Sequence, residues 1–167
     1  NQALMELGAT VCLPNGAPKC VLCPVRNVCL AYRRNQTGVY PVKAEKKPRT
    51  QEYLNVFFCV DGDKIAIGKR SEKGLLSGLW ELPNGLREAA PPMILQQMGI
   101  LEAEIFPMKA QKHIFTHVQW QRDCYFVRVK KRMNSNLLWL TREEAEEKYA
   151  LPSAFKKIWL EGLKRLE

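Results

Sequence analysis

Four cysteines near the start of the chain are the residues best suited to chemistry. Cys12, Cys20, Cys23 and Cys29 lie within eighteen residues, in the string CLPNGAPKCVLCPVRNVC. Thiolates this close in sequence, with one C-x2-C pair at the centre, are typical of a soft-ligand site for zinc or for an iron–sulfur cluster. Zinc sites usually combine two such pairs, and this stretch has one. The spacing therefore predicts a metal centre and argues against zinc.

Two disulfides are the alternative use of the same four cysteines. Disulfide frameworks belong mainly to small secreted modules that cannot build a sufficient core. This chain has 167 residues, is 46% hydrophobic, and shows neither an apolar signal segment nor a transmembrane run. We therefore expect a reducing intracellular environment, compatible with a bacterial cytoplasm or with a eukaryotic nucleus or mitochondrion. We expect no membrane partner.

The positive charge of the chain is concentrated in two segments. The net charge is +9, yet residues 19–49 contribute +7 and residues 109–132 contribute +6, so the rest of the chain is acidic. Basic segments on an acidic body are typical of a phosphate-binding surface, with solvated lysines as the alternative. The predicted phosphate ligands are the cations on or beside the cysteine loop, namely Lys19, Arg26, Arg33 and Arg34.

Composition divides the chain into three segments. Residues 1–34 predict a helix that Gly8 ends, the cysteine loop, and a short helix that starts near Pro24. Residues 35–50 combine glycine, two prolines and a lysine run, and predict a basic interdomain linker. Residues 51–167 carry strand and helix signals. We predict an α+β fold, with a small, mostly helical segment followed by a mixed β-sheet domain flanked by helices.

The third segment contains the local signals of several strands and helices. Thr141 and Glu144 have the spacing of a capping box, and Ser153 is the predicted N-cap of the last helix. Cys59 and Cys124 lie in strand-like stretches, where a free cysteine usually acts as a small buried hydrophobe. The predicted strands cover 53–60, 64–68, 114–115, 120–129 and 139–140, and the predicted helices cover 93–98, a stretch from 141 and a stretch from 153.

Four motifs resemble MutY-type adenine DNA glycosylases, and they occur in the order in which that family has them. They are ALMELGATVC at 3–12, GLLSGLWELP at 74–83, HIFTH at 113–117 and SAFKKIW at 153–159. The cysteine spacing C-x7-C-x2-C-x5-C also resembles the C-x6-C-x2-C-x5-C loop of the same branch, with one extra residue in a Pro/Gly-containing stretch. This resemblance implies that Cys12, Cys20, Cys23 and Cys29 ligate a [4Fe-4S] cluster.

The resemblance also implies a role in base excision repair of adenine mispaired with 8-oxoguanine. The family's catalytic residues precede the region corresponding to Asn1, so we expect a non-catalytic C-terminal part that binds DNA and reads the lesion. Phe115, Thr116 and His117 match the family's FSH loop, with threonine in place of serine. Phe115 as a core residue and His117 as an ordinary turn residue are the alternatives. Expected partners are duplex DNA containing 8-oxoguanine opposite adenine, the N-terminal catalytic domain, and repair or replication proteins that bind the linker.

A second resemblance is to the Nudix hydrolases, through the string LWELPNG at 79–85. Those enzymes hold Mg²⁺ with a helix bearing several carboxylates. Here Pro91 stands at the first glutamate position and Gly99 at the arginine position, and PPMILQQMGI contains no acid. We therefore expect a Nudix-like scaffold without pyrophosphohydrolase activity. An iron–sulfur electron-transfer module is a third class, disfavoured because ferredoxin-type loops repeat the x2 spacing.

Overall fold

Residues Asn1–Lys47 form one unit and Pro48–Glu167 form a second in the computed structural model. The structure describes residues 1–42 and 48–166. The predicted linker cations Lys43, Lys46 and Lys47 lie outside the described residues. No helix in the described ranges is long and apolar enough to cross a lipid bilayer.

The first unit consists of short helical pieces around the cysteine loop. Helix α1 covers Gln2–Thr10 and helix α2 covers Leu30–Arg33, with 3-10 turns between them at Cys20–Leu22 and Arg26–Val28. The predicted helix end at Gly8 is wrong, because the backbone bonds continue and the Val11 N–H donates to Leu7 O at 3.1 Å. The predicted helix start near Pro24 is also wrong, since that residue lies between the two 3-10 turns.

The second unit is built on a mixed β-sheet, as predicted. Strands β1 and β6 run parallel, and the remaining strand pairs are antiparallel. In the part of the unit that the structure describes, the main path of the sheet is β3-β2-β1-β6-β5, with β4 paired to β1 and β7 paired to β2. The strands are β1 Thr50–Asp61, β2 Lys64–Lys69, β3 Trp80–Glu81, β4 Asn84–Leu86, β5 Ile100–Ile114, β6 Val118–Arg132 and β7 Leu138–Leu140.

Three helices flank this sheet: α3 Pro91–Gln97, α4 Arg142–Lys148 and α5 Ser153–Leu163. The capping box of α4 is confirmed, because Thr141 Oγ1 accepts from Glu144 N at 3.3 Å and Glu144 Oε2 accepts from Thr141 N at 3.1 Å. The predicted cap of α5 is wrong. Pro152 occupies the N-cap position, and no side chain there accepts a bond from the helix.

Both faces of the sheet are buried, which explains the nearly continuous apolar run of β1. Alternate residues of that strand point to opposite faces. Phe58 packs on one side against Phe126 and Trp159, and Phe57 packs on the other against Tyr125. Helix α5 covers the first face and α3 covers the second.

The two cysteines of the second unit are buried, as predicted. Cys59 is fully buried on β1, and Cys124 is 2% exposed on β6. Burial raises the pKa of the Cys59 thiol far above its usual range, and burial raises that of Cys124 to about 12. Both thiols therefore stay protonated at neutral pH and serve as packing groups.

Candidate functional site

All four cysteines predicted as ligands line one cavity of the first unit. The cavity has a volume of about 600 Å³, and most of its other lining residues are apolar. All six cysteines of the chain are free, so the structure does not support the disulfide alternative. The apolar residues of the lining include Leu4, Leu7, Val11, Pro14, Pro18 and Tyr40.

The thiols surround this cavity and do not meet at one point. Among the described residues, no three His, Cys, Asp or Glu side chains come close enough together to hold a single metal ion. A zinc ion needs its sulfur ligands to converge at about 2.3 Å. An iron–sulfur cluster is a larger body that is ligated at its corners. The donor set and the cavity therefore fit a cluster better than a single ion.

The first unit has no buried residue within the described range 1–42. Large apolar side chains face solvent there, for example Leu22 at 70% exposure and Val28 at 74%. Units of about 40 residues rarely fold on apolar burial alone and usually need metals, disulfides or a partner. The four free cysteines at the cavity are the donors available to a metal centre in this unit.

Three of the four predicted phosphate-binding cations are exposed. Lys19, Arg33 and Arg34 form no ion pair with any residue of the described ranges, so their charges are free to meet an anion. Arg26 differs from these three, because its side chain lines the cysteine cavity and its guanidinium lies 5.7 Å from the centre of the Tyr32 ring. The Arg26 side chain therefore faces the cysteine cavity.

The second basic segment, residues 109–132, is largely engaged within its own domain. Arg122 is 3% exposed and donates to Ala154 O at 2.6 Å. These contacts engage part of the positive charge of the segment within the domain, and a phosphate-binding surface on the rest of it stays a prediction. The ion pairs of its cations are Lys130 with Glu104 at 2.6 Å, Lys131 with Glu102 at 3.9 Å and Arg132 with Asp61 at 2.6 Å.

The turn between β5 and β6 contains the three residues that were predicted to read a base. The Phe115 N–H donates to Val118 O at 2.8 Å and closes the turn. The Phe115 ring lies edge-on between His113, with ring centres 4.6 Å apart, and Trp120, with ring centres 4.9 Å apart. It packs against the core of the domain. In this structure the ring anchors the turn.

The side chains exposed at the tip of this turn are Thr116 and His117. Their backbone is held from the start of β1: Arg49 Nε donates to Phe115 O at 3.0 Å, and Thr50 N donates to His117 O at 3.0 Å. A hydroxyl and an imidazole are thereby presented to solvent from a fixed backbone. Both groups can donate and accept hydrogen bonds, as recognition of a base edge requires.

One contributor to this turn, Arg49, was missed in the sequence. Arg49 was counted only as a linker cation, and no local pattern signals a bond to a carbonyl 66 residues away. His113 packs against Phe115, in keeping with the expectation that this histidine is a packing residue outside the recognition site. Burial lowers the pKa of His113, and Arg122 and Lys157 add to the effect, so this imidazole stays neutral beside Phe115 at neutral pH.

The region that would hold Mg²⁺ in a Nudix enzyme lacks the acids. Helix α3 contains no Asp or Glu. The neighbouring Glu81 on β3 is paired with Arg70, and burial raises the pKa of its carboxyl despite that partner. The described residues therefore offer no group of carboxylates that could hold a metal ion there.

Comparison with known proteins identifies relatives of the chain. The model of the NUDIX domain family matches residues 55–161. Adenine DNA glycosylase of Mus musculus is 27% identical over 95% of this chain, and the chain spans 41% of that protein. Adenine DNA glycosylase of Arabidopsis thaliana is 32% identical over 71% of the chain, which spans 24% of the plant protein. The resemblance to adenine DNA glycosylases is thereby confirmed.

A solved structure gives the same result for the fold. The C-terminal domain of mouse MUTYH, determined in complex with human PCNA, superposes with a TM-score of 0.57 at 20% identity. The match covers 69% of this chain and 89% of the mouse domain. At this level of identity the likeness concerns the fold alone.

Proposed function

The chain belongs to the NUDIX domain family, and we propose that it is the DNA-binding, lesion-reading part of an adenine DNA glycosylase. Its substrate in this proposal is duplex DNA in which adenine is mispaired with 8-oxoguanine. The observation that carries the proposal is similarity to adenine DNA glycosylases along 95% of the chain, across the cysteine segment as well as the NUDIX domain. A nucleotide hydrolase would not account for the cysteine segment.

The cofactor in this proposal is a [4Fe-4S] cluster held by Cys12, Cys20, Cys23 and Cys29. The support is the cavity that these four free thiols line. When bound, the cluster supplies metal–thiolate bonds that fix the loop. The chain's own residues then act on DNA, because an ordered loop presents the cations Lys19, Arg33 and Arg34 to phosphates with less entropy lost on binding.

Recognition of 8-oxoguanine is assigned in this proposal to the turn of residues 115–117. Phe115 supports the turn through its packing on Trp120, and Thr116 and His117 supply the hydrogen-bonding groups. The glycosidic bond would be cleaved by an N-terminal catalytic domain of the same protein. A repair or replication protein as a further partner is in keeping with the mouse MUTYH domain, which was solved with human PCNA.

The experiment that tests this division of roles compares two sets of variants by fluorescence anisotropy. We expect Thr116→Val and His117→Ala each to lower the preference for an 8-oxoguanine:adenine duplex over undamaged DNA about tenfold, because a lost base contact costs roughly 1–3 kcal/mol. Binding to undamaged DNA should change little. Arg33→Gln with Arg34→Gln should weaken binding to both duplexes equally and reduce the salt slope by about 2.

Equal loss of lesion preference in both sets would contradict the assignment of the turn as the reader. Incubation of the unmodified protein with Mg²⁺ and nucleoside triphosphates provides the independent check on function. No hydrolysis is expected, because α3 carries no carboxylate. Metal-dependent release of pyrophosphate or nucleotide would instead support the Nudix enzyme.

A further inference from the structure

We propose that Arg49, at the C-terminal end of the predicted linker, is a positioning residue for the recognition turn. Its Nε–H bond to Phe115 O would fix the direction in which Thr116 and His117 leave the domain. This inference rests on the proposed function of the turn, and it adds a residue that does not itself touch the base.

The geometry ties the start of β1 to both ends of the turn. Parallel pairing of β1 with β6 begins at Thr50 and Val118, directly after the turn. The Thr50 N–H donates to His117 O, and Arg49 Nε donates to Phe115 O, both at 3.0 Å. The two carbonyls that bracket Thr116 are therefore bonded to consecutive residues, Arg49 just before β1 and Thr50 at its start.

Arg49 provides the side-chain part of this support. Within the described ranges it is the residue whose side chain forms a hydrogen bond to the backbone of the turn. The Phe115 ring is already held by His113 and Trp120. Bonding of Phe115 O then fixes the peptide plane between Phe115 and Thr116, so the backbone is held on both sides of the exposed residues. A prearranged turn loses less conformational freedom when it binds a base.

Arg49 is exposed, and a direct contact between its guanidinium and a phosphate is the competing role. Two substitutions separate the roles because their side chains match arginine in length as far as Nε. Arg49→Gln keeps an N–H donor at four bonds from Cα and removes the charge. Arg49→Met places a methyl group at that position, so it removes the donor together with the charge. The pair therefore isolates the hydrogen bond at constant charge.

The closing experiment measures the ratio of affinities for the 8-oxoguanine:adenine and undamaged duplexes, together with backbone amide exchange over residues 113–118. We expect Arg49→Met to lower the ratio about three- to tenfold, the range of one hydrogen bond, and to speed exchange in the turn. Arg49→Gln should retain most of the ratio and of the protection. Arg165→Met is the matched control, because Arg165 also donates to a β5 carbonyl, Pro107 O at 3.0 Å. It should leave the ratio unchanged.

An unchanged ratio in Arg49→Met would overturn the inference, even if exchange became faster. An equal loss of affinity for both duplexes in both Arg49 variants would also overturn it and assign Arg49 to phosphate binding. If the unmodified protein shows no lesion preference, the proposed function fails. In that case amide exchange alone tests whether Arg49 holds the turn. Equal exchange rates in the Arg49→Met and unmodified proteins would then show that it does not.

Discussion

Replacement of Cys23 by serine is expected to abolish iron binding and to unfold the first unit while leaving the second unit folded. The first unit buries none of its residues 1–42, so no apolar core remains to hold it. Structural metal centres contribute on the order of 10 kcal/mol to folding, far more than the exposed side chains of this unit can replace. Iron content, visible absorbance and limited proteolysis measure the effect.

The matched control for this variant is Cys124→Ala. Cys124 is buried on β6 and does not line the cysteine cavity, so its loss should weaken the second unit and leave the iron content unchanged. Full iron loading of Cys23→Ser, or equal iron loss in the two variants, would contradict the assignment of the cavity as the cluster site.

Replacement of Gly162 by alanine is expected to destabilise the second unit by about 3 kcal/mol, the upper part of the range for overpacking. A Cβ at this position would overlap the Phe58 ring. That ring cannot move aside cheaply, because it is fully buried between Phe126 and Trp159. Denaturant unfolding followed by tryptophan fluorescence measures the loss.

Gly8→Ala is the control for the glycine substitution. Gly8 lies within α1 and an added Cβ there meets nothing within 4 Å. Alanine should leave the unfolding of the second unit unchanged and favour α1 by up to about 1 kcal/mol. A Gly162→Ala protein whose stability is within about 0.5 kcal/mol of the unmodified one would show that α5 does not pack on β1 as described.

Local sequence signals correctly predicted the elements whose structure depends on residues close together in the chain. The capping box at Thr141 and Glu144 depends on residues three apart, and it is present. The strands predicted at 53–60 and 64–68 likewise correspond to β1 and β2. Strand β5 was recognised only at its last residue, Ile114, because its 15-residue stretch is mostly exposed and contains Pro107. Its extent is set by pairing with β6, which is a tertiary effect.

Helix ends without a side-chain cap were predicted less well. Ser153 is a residue type that favours the N-cap position, yet Pro152, with its fixed φ and extended ψ, places the boundary one residue earlier. The helix then begins at Ser153 without a side-chain bond. Gly8 was predicted to end α1, but a glycine ends a helix when its backbone adopts positive φ, and here the helix simply continues.

In the candidate site, too, features that depend on residues close in sequence were predicted, and contacts between distant residues were not. The four cysteines are close in sequence, and they also line one cavity. The roles of the cations depend on partners far along the chain. Arg132 pairs with Asp61 and Lys130 pairs with Glu104, and both acidic partners are distant in sequence. The bond from Arg49 to Phe115 O is equally distant in sequence.

Binding of the unmodified protein to lesion-containing DNA tests the central claim most directly. Fluorescence anisotropy at one fixed salt concentration would compare a duplex carrying 8-oxoguanine opposite adenine with its undamaged counterpart, on a sample of measured iron content. The expected result is brown, iron-loaded protein that binds the lesion duplex more tightly. Equal, salt-sensitive affinity for the two duplexes would contradict lesion reading by this chain.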